Sequence, residues 1–126
     1  MIYNQVNDLR PQVPSMTNKE ADAKFKDEKL IILDVREDNE YDFVHINGAT
    51  HIKMREVPQR IDELPKDKEI GVMCLGGGRS AQITNYLLQQ GFTSVKNIEG
   101  GISRWAVDID PSLPRYRLMA GQIQKL

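Results

Sequence analysis

Short aliphatic runs that alternate with helical segments predict an α/β protein, a mainly parallel sheet with helices on both faces and right-handed crossovers. Two observations carry that prediction. Residues 30–33 (LIIL) and 69–74 (EIGVMC) are continuous apolar or near-apolar runs, the pattern of strands buried on both faces rather than on one. The second run passes through three successive glycines directly into a helical pattern, which places a flexible loop at the carboxyl end of a buried strand, where such sheets hold their ligands. The chain has 126 residues, enough for one domain, and its 40% hydrophobic and 28% charged content is that of an ordinary globular protein rather than a disordered or fibrous one.

Taken in order, residues 1–12 form a polar, extended lead-in with Pro11, and a short first strand is expected around 13–16. Thr17 and Glu20 have the spacing of a capping box, which predicts a helix over about 18–27. The strand at 30–33 ends at Asp34. Residues 37–43 begin acidic and end aromatic, as a short helix with a negative N-terminus does. After the Asn47-Gly48 turn a strand is expected at 49–52. Apolar residues at 54, 57, 61 and 64 predict a helix that Pro58 shortens or breaks. Residues 69–74 are a strand, 80–90 a helix that stops at Gly91, and 94–98 a strand. Gly100-Gly101 reads as a turn and 102–107 as a short helix holding Trp105, while residues 118–126 read as a tail lying on the surface beyond Pro111 and Pro114.

The chemistry is concentrated in Cys74-Leu75-Gly76-Gly77-Gly78-Arg79-Ser80. Glycines permit positive φ, so the backbone can curl and aim several amides at one point, a nest that binds anions. The N-terminus of the following helix and the charge of Arg79 both favour thiolate over thiol at Cys74. A thiolate in an anion cradle suits the acceptance of a sulfur atom, because the resulting persulfide is also an anion and sits in the same cradle. Such a cysteine is also expected to be prone to overoxidation. The bland alternative is that Cys74 is a small buried hydrophobe at a strand end. Ser80 reads as a helix N-cap rather than as a catalytic hydroxyl. Asp34 and Arg36 either brace the loop from the neighbouring strand or form an ordinary strand-end cap, with Arg36 paired to Glu40 on the surface.

These residues resemble the rhodanese-type sulfurtransferases. Cys74 to Arg79 matches the C-x-x-G-x-R active loop of that family. The segments Asp34-Val35-Arg36-Glu37, Glu40-Tyr41 and His45-Ile46-Asn47-Gly48-Ala49 resemble its upstream signature, and Gly100-Gly101-Ile102 with Trp105 also fits. The resemblance covers residues 13–117, and the ending Asp110-Pro111-Ser112-Leu113-Pro114-Arg115-Tyr116 is similar to rhodanese domains fused to enzymes that activate ubiquitin-like sulfur carriers. It implies a five-stranded parallel sheet, Cys74 as the sulfur-accepting nucleophile, and Leu75, Gly76, Gly77, Gly78, Arg79 and Ser80 as the site of a small anionic donor such as thiosulfate, with no cofactor. It also implies a sulfur-relay protein or a ubiquitin-like sulfur carrier as partner. Val44 and Asn47 stand where the family often has Gly and Pro, and Leu75 stands where thiosulfate-preferring members are often basic.

Rival readings fit fewer residues. Four residues separate Cys74 from Arg79, whereas cysteine-dependent phosphatases place five there, and one residue spans up to about 3.3–3.6 Å. Gly76-Gly77-Gly78-Arg79-Ser80-Ala81 with Glu99 imitates a dinucleotide fingerprint but leaves Cys74 without a role. A non-enzymatic docking module built on the same fold is a third reading. A lone cysteine excludes an intrachain disulfide and a multi-thiolate zinc site, and His45 and His51, six positions apart, do not form a chelating pair. With 17 basic and 18 acidic residues, the net charge of −1 gives no electrostatic reason to expect nucleic acid or an anionic membrane as partner. The N-terminal residues lack a basic start and an apolar block, so a cytoplasmic location is expected.

Overall fold

The computed structural model describes residues 10–126, so most of the predicted lead-in lies outside the described residues. The element order is β1 (Ser15–Met16), α1 (Asn18–Lys26), β2 (Ile31–Asp34), α2 (Asp38–Phe43), β3 (Thr50–His51), β4 (Ile70–Met73), α3 (Gly78–Gln89), β5 (Val95–Ile98) and α4 (Gly101–Asp108). A hairpin, β6 (Tyr116–Met119) and β7 (Gln122–Lys125), follows. β1 to β5 form a parallel five-stranded sheet in the order β1-β5-β4-β2-β3, as the sequence predicts. The chain moves outward from β2 to β3 and then returns past β2 to β4. The end of β4 is therefore a point where the winding reverses, the usual place for a site in open α/β sheets.

Successive strand residues face opposite sides of the sheet, and that alternation divides the core in two. Leu33, Val72 and Cys74 join Ile83 and Leu87 of α3 on one face. Ile32, Met73 and Ile98 join Ala21, Ile102 and Trp105 on the other. Both faces being covered explains why the strands read as runs rather than as alternating patterns. Thr17 caps α1 through the predicted box, with Glu20 N–H donating to its hydroxyl and its own N–H reaching Glu20 Oε1.

Two expectations change. Residues 54–64 are not an α-helix but two 3₁₀ segments, Met54–Glu56 and Pro58–Glu63, because Pro58 offers no N–H to continue a helix. The expected tail is instead an antiparallel hairpin. Ala120 and Gly121, at φ of +50° and +78°, make its tight turn, and Leu118 and Ile123 pack against the second core. His45 and His51 stack on opposite faces of Tyr41, with ring centroids 4.0 and 4.2 Å away. No helix among the described residues is long and apolar enough to cross a membrane.

Candidate active site

β4 delivers Cys74 to the carboxyl edge of the sheet, and the chain there leaves the plane. Its next two carbonyls do not pair with a neighbouring strand. Ile102 N–H donates to Cys74 O (2.9 Å) and Ser103 N–H to Leu75 O (3.1 Å), so the first turn of α4 caps the end of β4. Gly101 makes this contact possible. Its φ is +57°, and a Cβ there would lie 2.4 Å from both carbonyl oxygens.

With its carbonyls held outward, the loop turns its N–H groups toward the sulfur. Gly77 N–H and Ser80 N–H donate to Cys74 Sγ at 3.1 and 3.4 Å. Gly77, at φ +109°, is the N-cap of α3, which brings the positive end of that helix onto the sulfur. Among the described residues, the N–H groups of Leu75, Gly76, Gly78 and Arg79 have no acceptor, so the segment between Cys74 and Ser80 carries four further unpaired donors. Two loop amides thus converge on one atom, in the manner the glycines suggest. Cys74 itself is only 1% exposed.

Ser80 is not the N-cap that the sequence suggests, because Gly77 takes that position. Its hydroxyl lies 3.3 Å from Sγ and donates to Asn97 Oδ1 at 2.6 Å. Asn97 Nδ2 in turn donates to Gly77 O at 3.1 Å, which fixes the amide orientation and ties the loop to β5.

Arg79 forks onto Glu40, with Nη1 to Oε2 at 2.7 Å and Nη2 to Oε1 at 2.9 Å. That fork uses two of its five N–H donors and leaves three that meet no protein acceptor among the described residues. Hydrogen bonding and charge from Glu40 outweigh desolvation and hold the guanidinium above its ordinary pKa, with the nearby Cys74 adding to the effect. Burial pushes the Glu40 carboxyl up. The donors Arg79, Glu37 N–H and Tyr116 together with the charge of Arg79 win, and its pKa is lowered.

Asp34 and Arg36 take something from each sequence reading: Asp34 Oδ1 accepts the Arg36 N–H as a strand-end cap, and the pair supports the loop only through intermediaries. Both are buried, neither bonds the loop, and Arg36 does not pair with the Glu40 carboxylate. Arg36 Nε and Nη2 bind Asp34, while its other donors reach the carbonyls of Glu40 and Val44 and the hydroxyl of Tyr116. Tyr116 then donates to Glu40 Oε1 at 2.8 Å. A polar chain therefore runs Asp34, Arg36, Tyr116, Glu40, Arg79. It braces the active loop at one remove.

Residues 17–108 match the rhodanese-like domain family. The chain belongs to that family. This rhodanese-like protein is 36% identical over 92 residues to a sulfurtransferase of Allochromatium vinosum, an alignment covering 73% of this chain and 82% of that one. It is 39% identical over 109 residues to the chloroplastic rhodanese-like/PpiC domain-containing protein 12 of Arabidopsis thaliana, covering 83% of this chain but 36% of that protein. It is 31% identical over 116 residues to the adenylyltransferase and sulfurtransferase UBA4 of Candida glabrata, covering 80% of this chain and 27% of that enzyme. The chain thus spans most of one relative and about a third or less of the other two. Relatives with these names support sulfur transfer as the class of chemistry of the rhodanese-like domain.

Glu40, Asn97, Gly101 and Tyr116 are site residues that the sequence reading did not assign. Glu40 and Gly101 lie inside the segments that resemble the family, where an acidic residue about one turn from Arg36 and a doubled glycine are the available signals. Asn97 in the middle of a buried strand was a polar residue without an explanation, which is itself a signal.

Proposed function

We infer that this protein moves a sulfane sulfur from a small anionic donor such as thiosulfate to a thiophilic acceptor through a persulfide on Cys74. The observation that carries the reading is the Cys74 sulfur held by two N–H donors at the positive end of α3, in a loop whose other amides have no acceptor. In the first step the Cys74 thiolate attacks the outer sulfur of thiosulfate; the sulfur–sulfur bond of the donor breaks, sulfite leaves with the bonding pair, and the persulfide keeps one negative charge. In the second, a nucleophile such as cyanide or a thiolate attacks that outer sulfur and the Cys74 thiolate is released. The two half-reactions share one form of the protein, so ping-pong kinetics follow. Amides aimed where the charge resides need no rearrangement between the steps. Leu75 places no cation in the loop, so the donor's charge is met by amides and by the free donors of Arg79.

The acceptor that fits the similarity to UBA4 is a sulfur carrier, which makes relay to a protein the second reading. Intact-mass spectrometry before and after thiosulfate tests the proposal. One added sulfur on the native chain and none on Cys74→Ala is expected. A folded native chain with a titratable thiol that gains no sulfur refutes loading by thiosulfate, and loading from a protein persulfide would then separate relay from a docking module.

A further inference from the structure

We propose that Tyr116, on the C-terminal hairpin and beyond residues 17–108, is a positioning residue that sets how much of the Arg79 charge reaches the Cys74 site. Tyr116 is 3% exposed and sits between two opposite charges of the buried chain. Its hydroxyl accepts from Arg36 Nη1 at 2.9 Å and donates to Glu40 Oε1 at 2.8 Å. Glu40 Oε1 accepts from Arg79 Nη2 as well, and Oε2 accepts from Arg79 Nη1 and Glu37 N–H. The carboxylate therefore divides its negative charge among Arg79 and two other donors. Without the Tyr116 hydroxyl, Oε1 has Arg79 alone. Glu40 then neutralises Arg79 more completely, and less positive potential remains for an anion in the loop.

The hairpin is fastened where this link needs it. Asn39 Nδ2 on α2 donates to Gly121 O at 3.2 Å, Leu126 N–H donates to Arg115 O at 3.0 Å, and the Tyr116 ring meets Phe43 edge-on at 5.5 Å. α2 thus carries both the Glu40 carboxylate and the seat of the hairpin that tunes it.

The inference deepens the sulfur-transfer reading, yet its test does not require sulfur transfer. The rate of Cys74 alkylation by anionic iodoacetate, divided by the rate with neutral iodoacetamide, reports the charge felt at the sulfur and cancels accessibility common to the two reagents. Tyr116→Phe keeps the ring against Phe43 and should lower the ratio by at least about threefold, part of what one charge-assisted hydrogen bond contributes. Glu40→Gln removes the neutralising charge and should raise the ratio. In the double variant the ratio should equal that of Glu40→Gln, because Tyr116 acts through the carboxylate; a merely structural role would lower it again. A Tyr116→Phe ratio within experimental error of native, or additive effects in the double variant, overturns the proposal. Failure of the native chain to load sulfur from thiosulfate, with these ratios behaving as stated, refutes the donor and leaves the role of Tyr116 standing.

Discussion

Gly101→Ala should unseat the active loop without touching Cys74. A Cβ at Gly101 would lie 2.4 Å from Cys74 O, 2.4 Å from Leu75 O and 2.6 Å from Leu75 C, all backbone atoms that cannot rotate aside. The residue also sits at φ +57°, which costs an L-residue about 1–2 kcal/mol. Separating α4 from β4 by enough to admit a methyl group loses the hydrogen bonds from Ile102 and Ser103, worth about 1 kcal/mol each. The sum is about 3–4 kcal/mol, a large part of a total stability of about 5–15 kcal/mol. For a chain of this size that corresponds to a fall in Tm of roughly 10–15 °C. Thermal denaturation followed by circular dichroism measures it, with Gly76→Ala as the comparison. A Cβ at Gly76 meets nothing within 4 Å, and that change should cost no more than about 0.5 kcal/mol. A Gly101→Ala protein that melts within a few degrees of native would refute the claim that the glycine is required by the carbonyl contact.

Two further predictions follow from the polar groups around the loop. The Glu40 pKa is lowered in the fold, by Arg79, Glu37 N–H and Tyr116 acting against burial. Its contribution is therefore complete above the ordinary value of 4.5 and is lost as pH falls through the lowered folded value. Denaturant unfolding at a series of pH values should show native stability declining below about pH 4.5 more steeply than that of Glu40→Gln, and parallel curves would contradict the assignment. Asn97→Ala removes the acceptor of the Ser80 hydroxyl and the donor to Gly77 O, both buried, and should cost about 2 kcal/mol in denaturant unfolding while slowing sulfur loading of Cys74.

Much of the architecture was legible because it depends on local pattern. The run at 30–33 and the strand at 69–74 announce burial on two faces, and the Thr17–Glu20 box fixes the start of α1 from four residues. The loop was legible for a different reason. Three glycines between a cysteine and an arginine have few structural uses, so residue type alone pointed to a curled backbone with its amides inward. Partnerships across the sequence were not legible. Glu40 lies four residues from Arg36, which suggests a surface pair, yet its carboxylate meets Arg79, 39 positions away, because α2 and α3 converge at the same sheet edge. Tyr116 closes a segment that resembles the family's ending but carries no sign of its partners, and the hairpin has no clear pattern because its strands are largely exposed and mix polar with apolar residues. Ser80 was misread as a cap because the actual cap, Gly77, uses a left-handed backbone and no side chain.

The near-complete burial of Cys74 bears on one expectation. Overoxidation follows both thiolate character and access, and a residue 1% exposed lacks the second. Loading changes the address of the reactive atom. In the proposed persulfide a second sulfur stands about 2.05 Å beyond the first, amid the backbone of the loop that follows Cys74. On that proposal the sulfur to be delivered lies in the loop, while the sulfur kept for the next cycle stays in the packed interior with Val72, Ile83 and Leu87.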